Sequence, residues 1–336
     1  MDDTLPPFVE IPENPIPPGL AAARLRLRDG KWMRYALAAP ANPRGTVLIL
    51  QGRNEAIEKY FETIGDLMAR GFAVAIFDWR GQGGSERLLR DAAKGHIDRV
   101  ETYVRDLDEF VARVLLPDCR APYVVLAHST GGLVALQAIP RLVNRVERMV
   151  LSAPLVAFPA RPRITGTLSF IASALRLVGL GRTSVRRLRP GGPVWSARTS
   201  PLSSDPRRLA RNMALAEAAP QLFVHRLTAS WVAACAAAMR RLDDSDVIAG
   251  LHLPTLFVTA GDDKVVNAAA AERLAWRMRS GHVLSIPGAR HELLQEADIH
   301  REQFLAAFEG FVGSVMPVRA AVPDTAVAEL EQALSA

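Results

Sequence analysis

Short apolar runs alternate with amphipathic stretches along much of the chain. Each of four runs in the first half is almost wholly apolar, and the segments between them repeat their apolar residues with helical spacing. Strands that are apolar on both faces and separated by amphipathic helices are typical of a parallel sheet covered on both sides. The runs are residues 46–50, 73–77, 123–126 and 148–151, and the helical segments include 55–70 and 100–115.

The alternation stops at about residue 154 and resumes after residue 246. The residues between show helical stretches (168–177, 206–217 and 229–240) broken by Gly, Pro and Arg, with no clear buried strand. The pattern predicts an α/β fold with a mostly parallel central sheet, helices on both faces and a helical insertion. The predicted parts are an extended arm (1–20), a core (21–153 and 247–315), a helical cap (154–246) and a peripheral tail (316–336). Further predicted elements are an antiparallel edge hairpin at 22–38 turning at Asp29 and Gly30, strands at 255–259 and 282–286, and helices at 268–278 and 299–312.

Arginine is concentrated in one part of the chain. The formal net charge is +6, and residues 153–211 contain eleven arginines against one acidic residue, Asp205. Such a segment can meet nucleic acid, an anionic membrane surface or an anionic substrate, or it can be a solvated surface. The sequence has no recognisable nucleic-acid-binding motif and interleaves few aromatic residues with the arginines, so we predict no nucleic-acid partner.

The chain lacks the sequence signals of export and of membrane spanning. Residues 1–18 carry acidic residues and six prolines rather than a basic start followed by an apolar run. No apolar stretch reaches the ~18 residues that a spanning helix needs. Cys119 and Cys235 do not have metal-ligand spacing, and two free thiols suit a reducing compartment. We therefore expect a cytoplasmic protein whose arginine-rich segment can contact the inner membrane surface.

The strongest chemical signal is the segment Ala-His-Ser-Thr-Gly-Gly at 127–132. It lies between a predicted strand and a predicted helix, and it resembles the nucleophile elbow G-x-S-x-G, in which a serine occupies a tight strand-to-helix turn. The positions two before and two after that serine must be small, because the strand and the helix pack closely there. Gly131 meets this requirement, and Ala127 replaces the usual glycine with one added methyl group. Ser129 is therefore the predicted nucleophile.

A serine nucleophile needs a base to take its proton and a carboxylate to orient that base. Two later segments supply candidates. Asp262 and Asp263 directly follow a buried strand, and His291 follows the next strand. The order Ser, Asp, His is that of the α/β-hydrolase fold, and the residues alone leave the two aspartates as alternatives. His291 and Glu292 begin a near match to the zinc motif H-E-x-x-H, but residue 295 is Gln, so we predict no metal there.

The oxyanion of a tetrahedral intermediate needs two main-chain N–H donors. We expect one from Thr130, directly after the nucleophile, and the other from Arg53, in the loop after the first central strand. In this fold that loop usually reads His-Gly-x, and here Gln51 replaces the histidine. The predicted donor is the main-chain N–H of Arg53, so the arginine side chain is not required for that role.

Another glycine-rich stretch, Asp-Trp-Arg-Gly-Gln-Gly-Gly-Ser at 78–85, follows the second apolar run. The dinucleotide pattern G-x-G-x-x-G fails because residue 86 is Glu, and the P-loop pattern G-x-x-x-x-G-K-[ST] does not occur in the sequence. We interpret the stretch as a structural turn whose glycines permit positive φ. No cofactor and no metal are predicted.

These segments together resemble the monoacylglycerol lipase and bacterial lysophospholipase branch of the α/β hydrolases. The resemblance covers roughly residues 46–312, and its spacing favours Asp263 over Asp262 as the acid. The segments at 51–62 and 78–89 are more specific than the elbow and indicate the lysophospholipase side. The matching segments are QGRNEAIEKYFE (51–62), DWRGQGGSERLL (78–89), KGHIDRVETYVRDL (94–107), AHSTGG (127–132), SPLSSDPRR (200–208), TAGDDKVV (259–266) and PGARHELLQE (287–296).

The resemblance implies a serine esterase with a helical cap and no cofactor, which cleaves a lysophospholipid or a monoacylglycerol through an acyl-enzyme. The expected partners are thus a lipid ester and, at the arginine-rich cap, an anionic membrane surface. Cleavage of another bond by the same fold (thioester, small ester or peptide) and a non-catalytic lipid-binding protein remain alternatives. Cap residues that are candidates for the acyl pocket, with core packing as the competing interpretation, are Leu168, Phe170, Ile171, Leu175, Leu177 and Trp231. Gln51 and His128 are further candidates for substrate contact.

Overall fold

The computed structural model describes residues 7–159, 162–187, 196 and 198–315. This part of the chain contains two sheets and ten α-helices. The predicted tail (316–336) and the first six residues of the predicted arm lie outside it. The strands are β1 (Ala21–Arg26), β2 (Trp32–Ala38), β3 (Thr46–Leu50), β4 (Ala73–Phe77), β5 (Lys94–Gly95), β6 (Tyr123–His128), β7 (Arg148–Ser152), β8 (Ser184–Arg187), β9 (Arg226–Thr228), β10 (Thr255–Ala260) and β11 (Gly281–Ile286).

The helices alternate with the strands outside the insertion. One of them, α2, continues through a π-helical turn (Val111–Leu115) into α3. The helices are α1 (Phe61–Ala69), α2 (Val100–Phe110), α3 (Leu116–Asp118), α4 (Thr130–Leu142), α5 (Pro162–Leu177), α6 (Pro206–Ala218), α7 (Ala229–Arg241), α8 (Ser245–Ala249), α9 (Ala268–Arg277) and α10 (Asp298–Gly313). None of the described helices is both long and apolar enough to span a membrane.

The large sheet is parallel except at one edge, as the sequence pattern predicts. Its strand order is β1-β2-β4-β3-β6-β7-β10-β11, and only the β1–β2 and β2–β4 pairs are antiparallel. The edge hairpin turns where expected, because Gly30 has a φ of 82° and donates its N–H to the carbonyl of Leu27. The carboxyl ends of the parallel strands share one edge, which is where such sheets bind ligands.

Both faces of the sheet are buried at its centre, because alternate residues of the central strands enter different cores. On β3, Leu48 packs in one apolar cluster with residues of α2, α4 and α7. Val47 and Ile49 pack in the other cluster with residues of α1 and α10. A strand that is apolar at every position is therefore covered on both sides, which explains the continuous runs in the sequence.

The insertion between β7 and β10 contains α5, α6 and α7, close to their predicted ranges. Asp205 begins α6 by accepting hydrogen bonds from the N–H groups of Arg207 and Arg208, and Pro206 occupies the first helical turn. Thr228 caps α7 through the N–H of Trp231. The sequence shows no clear buried strand here, and the structure adds two short strands that it did not indicate, since β8 and β9 join β5 in a three-stranded sheet. These strands have two to four residues each and follow no apolar pattern.

Candidate active site

Ser129 lies on a sharp turn between β6 and α4. Its backbone has φ 50° and ψ −114°, a region that residues other than glycine rarely occupy. A Cβ on Gly131 would lie 2.3 Å from the carbonyl oxygen of Leu50, so only glycine fits where α4 crosses the end of β3. Ala127, at the corresponding position before the serine, is fully buried on β6 between β3 and β7. The close packing that the motif requires is thus present.

The side chains of Ser129, His291 and Asp263 form one hydrogen-bonded chain. The Nε2 atom of His291 is 3.0 Å from Ser129 Oγ, and its Nδ1 atom is 2.8 Å from Asp263 Oδ2. A carboxylate can only accept, so the Nδ1–H donates to Asp263 and Nε2 is left to accept the serine proton. This is the arrangement that activates a serine hydroxyl. The chain is buried, with the Asp263 side chain fully so.

The two aspartates after β10 have different surroundings. Asp263 Oδ1 accepts hydrogen bonds from the N–H groups of Val265 and Val266, at 2.7 and 2.9 Å, while Oδ2 faces the histidine. Asp262 is exposed and forms an ion pair with the exposed Lys264. The geometry therefore brings Asp263, and not Asp262, to His291.

The predicted oxyanion donors line the same cavity as the serine. Thr130 is the first residue of α4, where main-chain N–H groups have no acceptor within the helix and the helix dipole favours negative charge. Arg53 lies in the loop after β3, and both residues line the cavity that contains Ser129. The role of their N–H groups as oxyanion donors stays a prediction.

A buried cluster of charged residues lies beside His291. The Lys59 ammonium is 2.7 Å from a carboxylate oxygen of Glu55 and 2.7 Å from one of Glu292. Glu55 also accepts from the N–H of Gly52 at 2.5 Å and from the hydroxyl of Tyr60 at 2.6 Å. The cluster joins the loop after β3 to the loop that carries the histidine.

Opposite charges stabilise the ionised forms of Glu55 and Lys59. Burial opposes the charge of Glu55, but the nearby Lys59 ammonium lowers the pKa of that carboxyl to about 2. Burial likewise opposes the charge of Lys59, but Glu292 and Glu55 together raise the pKa of its ammonium. Glu55 and Lys59 therefore form an ion pair at neutral pH.

His128 lies beside both Glu55 and His291. Its Nδ1 atom is 3.1 Å from the carbonyl oxygen of Ser152, so Nδ1 carries the proton of the neutral ring. Its ring centroid is 4.9 Å from that of His291. Burial lowers the pKa of His128, and the neighbouring His291 lowers it further against the opposite effect of Glu55. A neutral His128 adds no positive charge beside His291.

The glycine-rich turn after β4 packs against a second buried ion-pair cluster. Arg34 lies between Asp78 and Glu58, with N···O distances of 2.7 Å to both, and all three side chains are fully buried. Gly83 has a φ of 56°, and a Cβ there would lie 2.1 Å from Asp78 Cγ. The turn is therefore structural, as the sequence predicts. Gln51 donates to Asp78 at 3.1 Å and belongs to this cluster.

A cavity of about 760 Å³ opens beside Ser129, and we call it the serine cavity. Three of the residues predicted to contact substrate line it, namely His128, Leu168 on α5 and Trp231 on α7. Its other lining residues are Gly52, Arg53, Asn54, Glu55, Lys59, Ser129, Thr130, Leu155, Phe158, Pro159, Ser169, Pro201, Leu202, Leu227, Val232, Lys264, Val265, Val266, His291 and Glu292.

The other predicted contact residues do not line the serine cavity. Gln51 is turned into the cluster around Asp78. Leu175 packs against the core. Phe170, Ile171 and Leu177 are exposed, and Phe170 lines a separate surface groove beside α7 and α9. Phe170 and Leu177 are outside the cavity because they lie on the outward face of α5.

Sequence reasoning did not single out Glu55, Lys59 and Glu292. One signal was available, because Glu55 and Lys59 are four residues apart and therefore face the same side of a helical turn. The third member is 233 residues away from Lys59 and has no such signal. In the described part of the chain, no three His, Cys, Asp or Glu side chains cluster in a way that could hold a metal ion.

Comparison with known sequences gives the family. The model of the family described as "Serine aminopeptidase, S33" matches residues 41–298. Lysophospholipase L2 of Escherichia coli K12 is 31% identical over 282 residues, which cover 79% of each chain. A monoacylglycerol lipase of Mycolicibacterium smegmatis is 26% identical over 261 residues, covering 76% of this chain and 84% of that one.

Comparison with solved structures gives the fold. A soluble variant of monoglyceride lipase from Saccharomyces cerevisiae, in complex with a substrate analogue, has a TM-score of 0.73 at 17% identity and covers 93% of this chain and 100% of that chain. The monoacylglycerol lipase of Paleococcus ferrophilus has a TM-score of 0.62 at 22% identity, covering 82% and 98%. The predicted fold and family are confirmed. The chain belongs to the serine aminopeptidase S33 family and is a serine ester hydrolase with the α/β-hydrolase fold.

Proposed function

We propose that this hydrolase cleaves the carboxylic ester of a single-chain lipid, a lysophospholipid or a monoacylglycerol, through Ser129, His291 and Asp263. One observation carries the proposal. The hydrogen-bonded chain of these three side chains ends, at Ser129 Oγ, in a cavity lined by both apolar and charged side chains.

In the proposed mechanism, Ser129 Oγ attacks the ester carbonyl while Nε2 of His291 takes its proton. Asp263 holds the imidazole in the required tautomer and stabilises the imidazolium. The N–H groups of Thr130 and Arg53 donate to the oxyanion. His291 then protonates the departing alcohol and leaves an acyl group on the serine. Water, activated by the same imidazole, releases the fatty acid and restores the hydroxyl.

The lining of the serine cavity suits a molecule with one apolar chain and a polar head. Ligand cavities that are mostly apolar, with a few fixed polar groups, orient such molecules in one direction. The charged side chains are Arg53, Glu55, Lys59, Lys264 and Glu292, and the apolar ones include Leu155, Phe158, Leu168, Leu227, Trp231, Val232, Val265 and Val266. The relatives named as lysophospholipase and monoacylglycerol lipase support the same substrate class.

A substrate panel tests the proposal. Purified protein is assayed by fatty-acid release on lysophospholipids and monoacylglycerols of several chain lengths, beside a short-chain ester, an acyl thioester and a prolyl anilide. We expect the highest kcat/KM on a long single-chain lipid, and loss of that activity in Ser129→Ala by about 10⁴–10⁶-fold. A preference for the thioester or the anilide would reject the substrate class, and an active Ser129→Ala variant would reject the nucleophile.

We further propose that residues 154–246 act as a cap whose outer surface contacts an anionic membrane. The residues from 168 to 180 carry a set of exposed apolar side chains, and Leu168 among them also lines the serine cavity. Arg176 and Arg182 lie in the same part of the chain, and each cation near an anionic surface adds ~1 kcal/mol of attraction. The exposed apolar residues are Leu168, Phe170, Ile171, Leu177, Val178 and Leu180.

Vesicle binding tests the membrane contact. We expect the protein to sediment with vesicles that contain phosphatidylglycerol, to bind pure phosphatidylcholine vesicles weakly, and to be released by high salt. Phe170→Asp should weaken binding by several-fold. Ile299→Asp is the matched control, because Ile299 is equally exposed on α10, outside the cap. Equal binding to both vesicle types, or equal loss in both variants, would contradict the proposal.

A further inference from the structure

A surface groove of about 730 Å³ lies between α5, α7 and α9, and we call it the outer groove. Its volume falls within the ~300–1,000 Å³ of ordinary small-molecule sites. Phe158, Pro159 and Ser169 line both the outer groove and the serine cavity. The two cavities are therefore neighbours that share a wall of three residues.

The buried part of the outer groove is apolar. Its side chains come from α7, α9 and the adjoining loops, and they offer an alkyl chain a surface on which each methylene group leaves water. A hydrocarbon chain therefore fits this part of the groove better than a polar molecule does. The buried apolar residues are Val156, Ala236, Met239, Leu242 and Leu274.

The exposed rim of the outer groove carries an excess of positive charge. Arg240, Arg273 and Arg277 line it, and Asp243 is the acidic residue among its lining. Arg277 donates to the main-chain oxygen of Asp243 at 3.0 Å. Within the described residues, the side chains of Arg240 and Arg273 form no ion pair and no hydrogen bond. Their charges can therefore meet an anion that enters the groove.

One product of the proposed reaction combines an apolar chain with a negative charge. Cleavage of the ester at Ser129 releases a fatty acid, whose carboxyl group is ionised at neutral pH. Guanidinium groups bind carboxylates through charge-assisted hydrogen bonds that are often bidentate. The acid forms in the serine cavity, which shares a wall with the outer groove. The outer groove is therefore next to the place where the acid is released.

We propose that the outer groove binds the fatty acid product, with its alkyl chain on the apolar residues and its carboxylate on Arg240 and Arg273. The inference rests on the proposed function, and it adds a second ligand site that takes the acid and not the ester. A monoacylglycerol or a fatty alcohol offers the arginines no charge, so it gains only the apolar contact.

Calorimetric titration with decanoate and 1-decanol tests the inference. The protein is first labelled on Ser129 with a long-chain alkyl fluorophosphonate, whose chain fills the serine cavity and removes the product site there. We expect the labelled protein to bind one decanoate per chain, about tenfold more tightly than 1-decanol. 1-Decanoyl lysophosphatidylglycerol is titrated as well, because its phosphate is another source of negative charge on a single-chain lipid. Decanoate should bind more tightly than this lipid.

Three variants locate the site and separate its two parts. The double variant Arg240→Gln, Arg273→Gln should weaken decanoate binding by about tenfold and leave 1-decanol binding within about twofold of wild type. Ser173→Trp should weaken both ligands, because Ser173 lines the outer groove and not the serine cavity. Arg279→Gln is the matched control, since Arg279 is exposed just after α9 and does not line the groove. It should change neither affinity by more than about twofold, because a surface charge outside the groove is largely screened.

The outcomes separate the inference from the function on which it rests. Protein that is not labelled on Ser129 and cleaves no lipid ester would refute the proposed function and the inference with it. Labelled protein that binds no decanoate, or binds decanoate and 1-decanol equally, would overturn the inference alone. Unchanged binding in Ser173→Trp, or equal loss in Arg279→Gln and the double variant, would also overturn it. Tighter binding of the lysophosphatidylglycerol than of decanoate would do the same, because the groove would then take a phospholipid.

Discussion

Glu55 accepts a hydrogen bond from the main-chain N–H of Gly52 at 2.5 Å. The same carboxylate binds Lys59, which reaches across to Glu292, the residue that follows the base. A Cβ on Gly52 would lie 2.9 Å from this carboxylate and 3.0 Å from the ring of His128, so residue 52 must be glycine. The loop that carries Arg53 and the loop that carries His291 are therefore held together by one buried ion cluster, which fixes the geometry of the site.

Replacing Glu55 with Gln should lower the free energy of unfolding at pH 7 by about 1.5–3 kcal/mol, the usual worth of a hydrogen bond to a charged group. The difference from wild type should shrink as the pH falls. The pKa of Glu55 is lowered in the folded state from an ordinary 4.5 to about 2, so its stabilisation is complete above pH 4.5 and is lost as the pH falls toward 2. Urea unfolding from pH 7 to pH 3 measures this. A constant difference over that range would contradict the assignment of the charge.

The two adjacent aspartates should respond differently to the same substitution. Asp263→Asn removes the acceptor that fixes the tautomer of His291 and should lower kcat by about 10⁴-fold. Asp262→Asn alters only an exposed ion pair with Lys264, which is worth little in water. Its kcat should therefore stay within about twofold of wild type. Steady-state kinetics on the best substrate measure kcat for both variants. A larger loss of kcat in Asp262→Asn than in Asp263→Asn would reverse the assignment of the acid.

Two glycine-to-alanine substitutions should have opposite effects on stability. Gly131→Ala places a methyl group 2.3 Å from the carbonyl oxygen of Leu50, and overpacking of this kind costs about 1–3 kcal/mol. Gly65→Ala adds a methyl group to α1 where no atom lies within 4 Å, and should stabilise by up to ~1 kcal/mol. Denaturant unfolding measures both. The interpretation of the elbow fails if Gly131→Ala is as stable as wild type.

Local patterns predicted the sheet and the three side chains that meet in one hydrogen-bonded chain. A strand covered on both sides must be apolar at successive positions, so β3, β4 and β6 are visible in the sequence. The serine needs small neighbours within two residues. Asp263 follows a strand that is buried throughout, and His291 follows the next strand along the chain. Each of these constraints involves only a few neighbouring residues, so it can be recognised in a single sequence.

Contacts between distant segments could not be predicted in the same way. The Lys59–Glu292 pair depends on two loops meeting after the sheet has formed, and an isolated Lys or Glu is ordinarily a surface residue. The short strands β8 and β9 exist because they pair with each other and with β5. The outward position of Phe170 depends on how α5 lies on the core, which helical spacing alone does not decide.

The central claim is that Ser129 is the nucleophile and His291 its base, and fluorophosphonate labelling followed by peptide mass mapping tests it most directly. Wild-type protein should gain one phosphonyl group on the peptide that contains Ser129, and Ser129→Ala should gain none. His291→Ala should be labelled far more slowly, because the hydroxyl then has no base to take its proton. Labelling of a different residue in wild-type protein, or equal labelling of Ser129→Ala, would contradict the account.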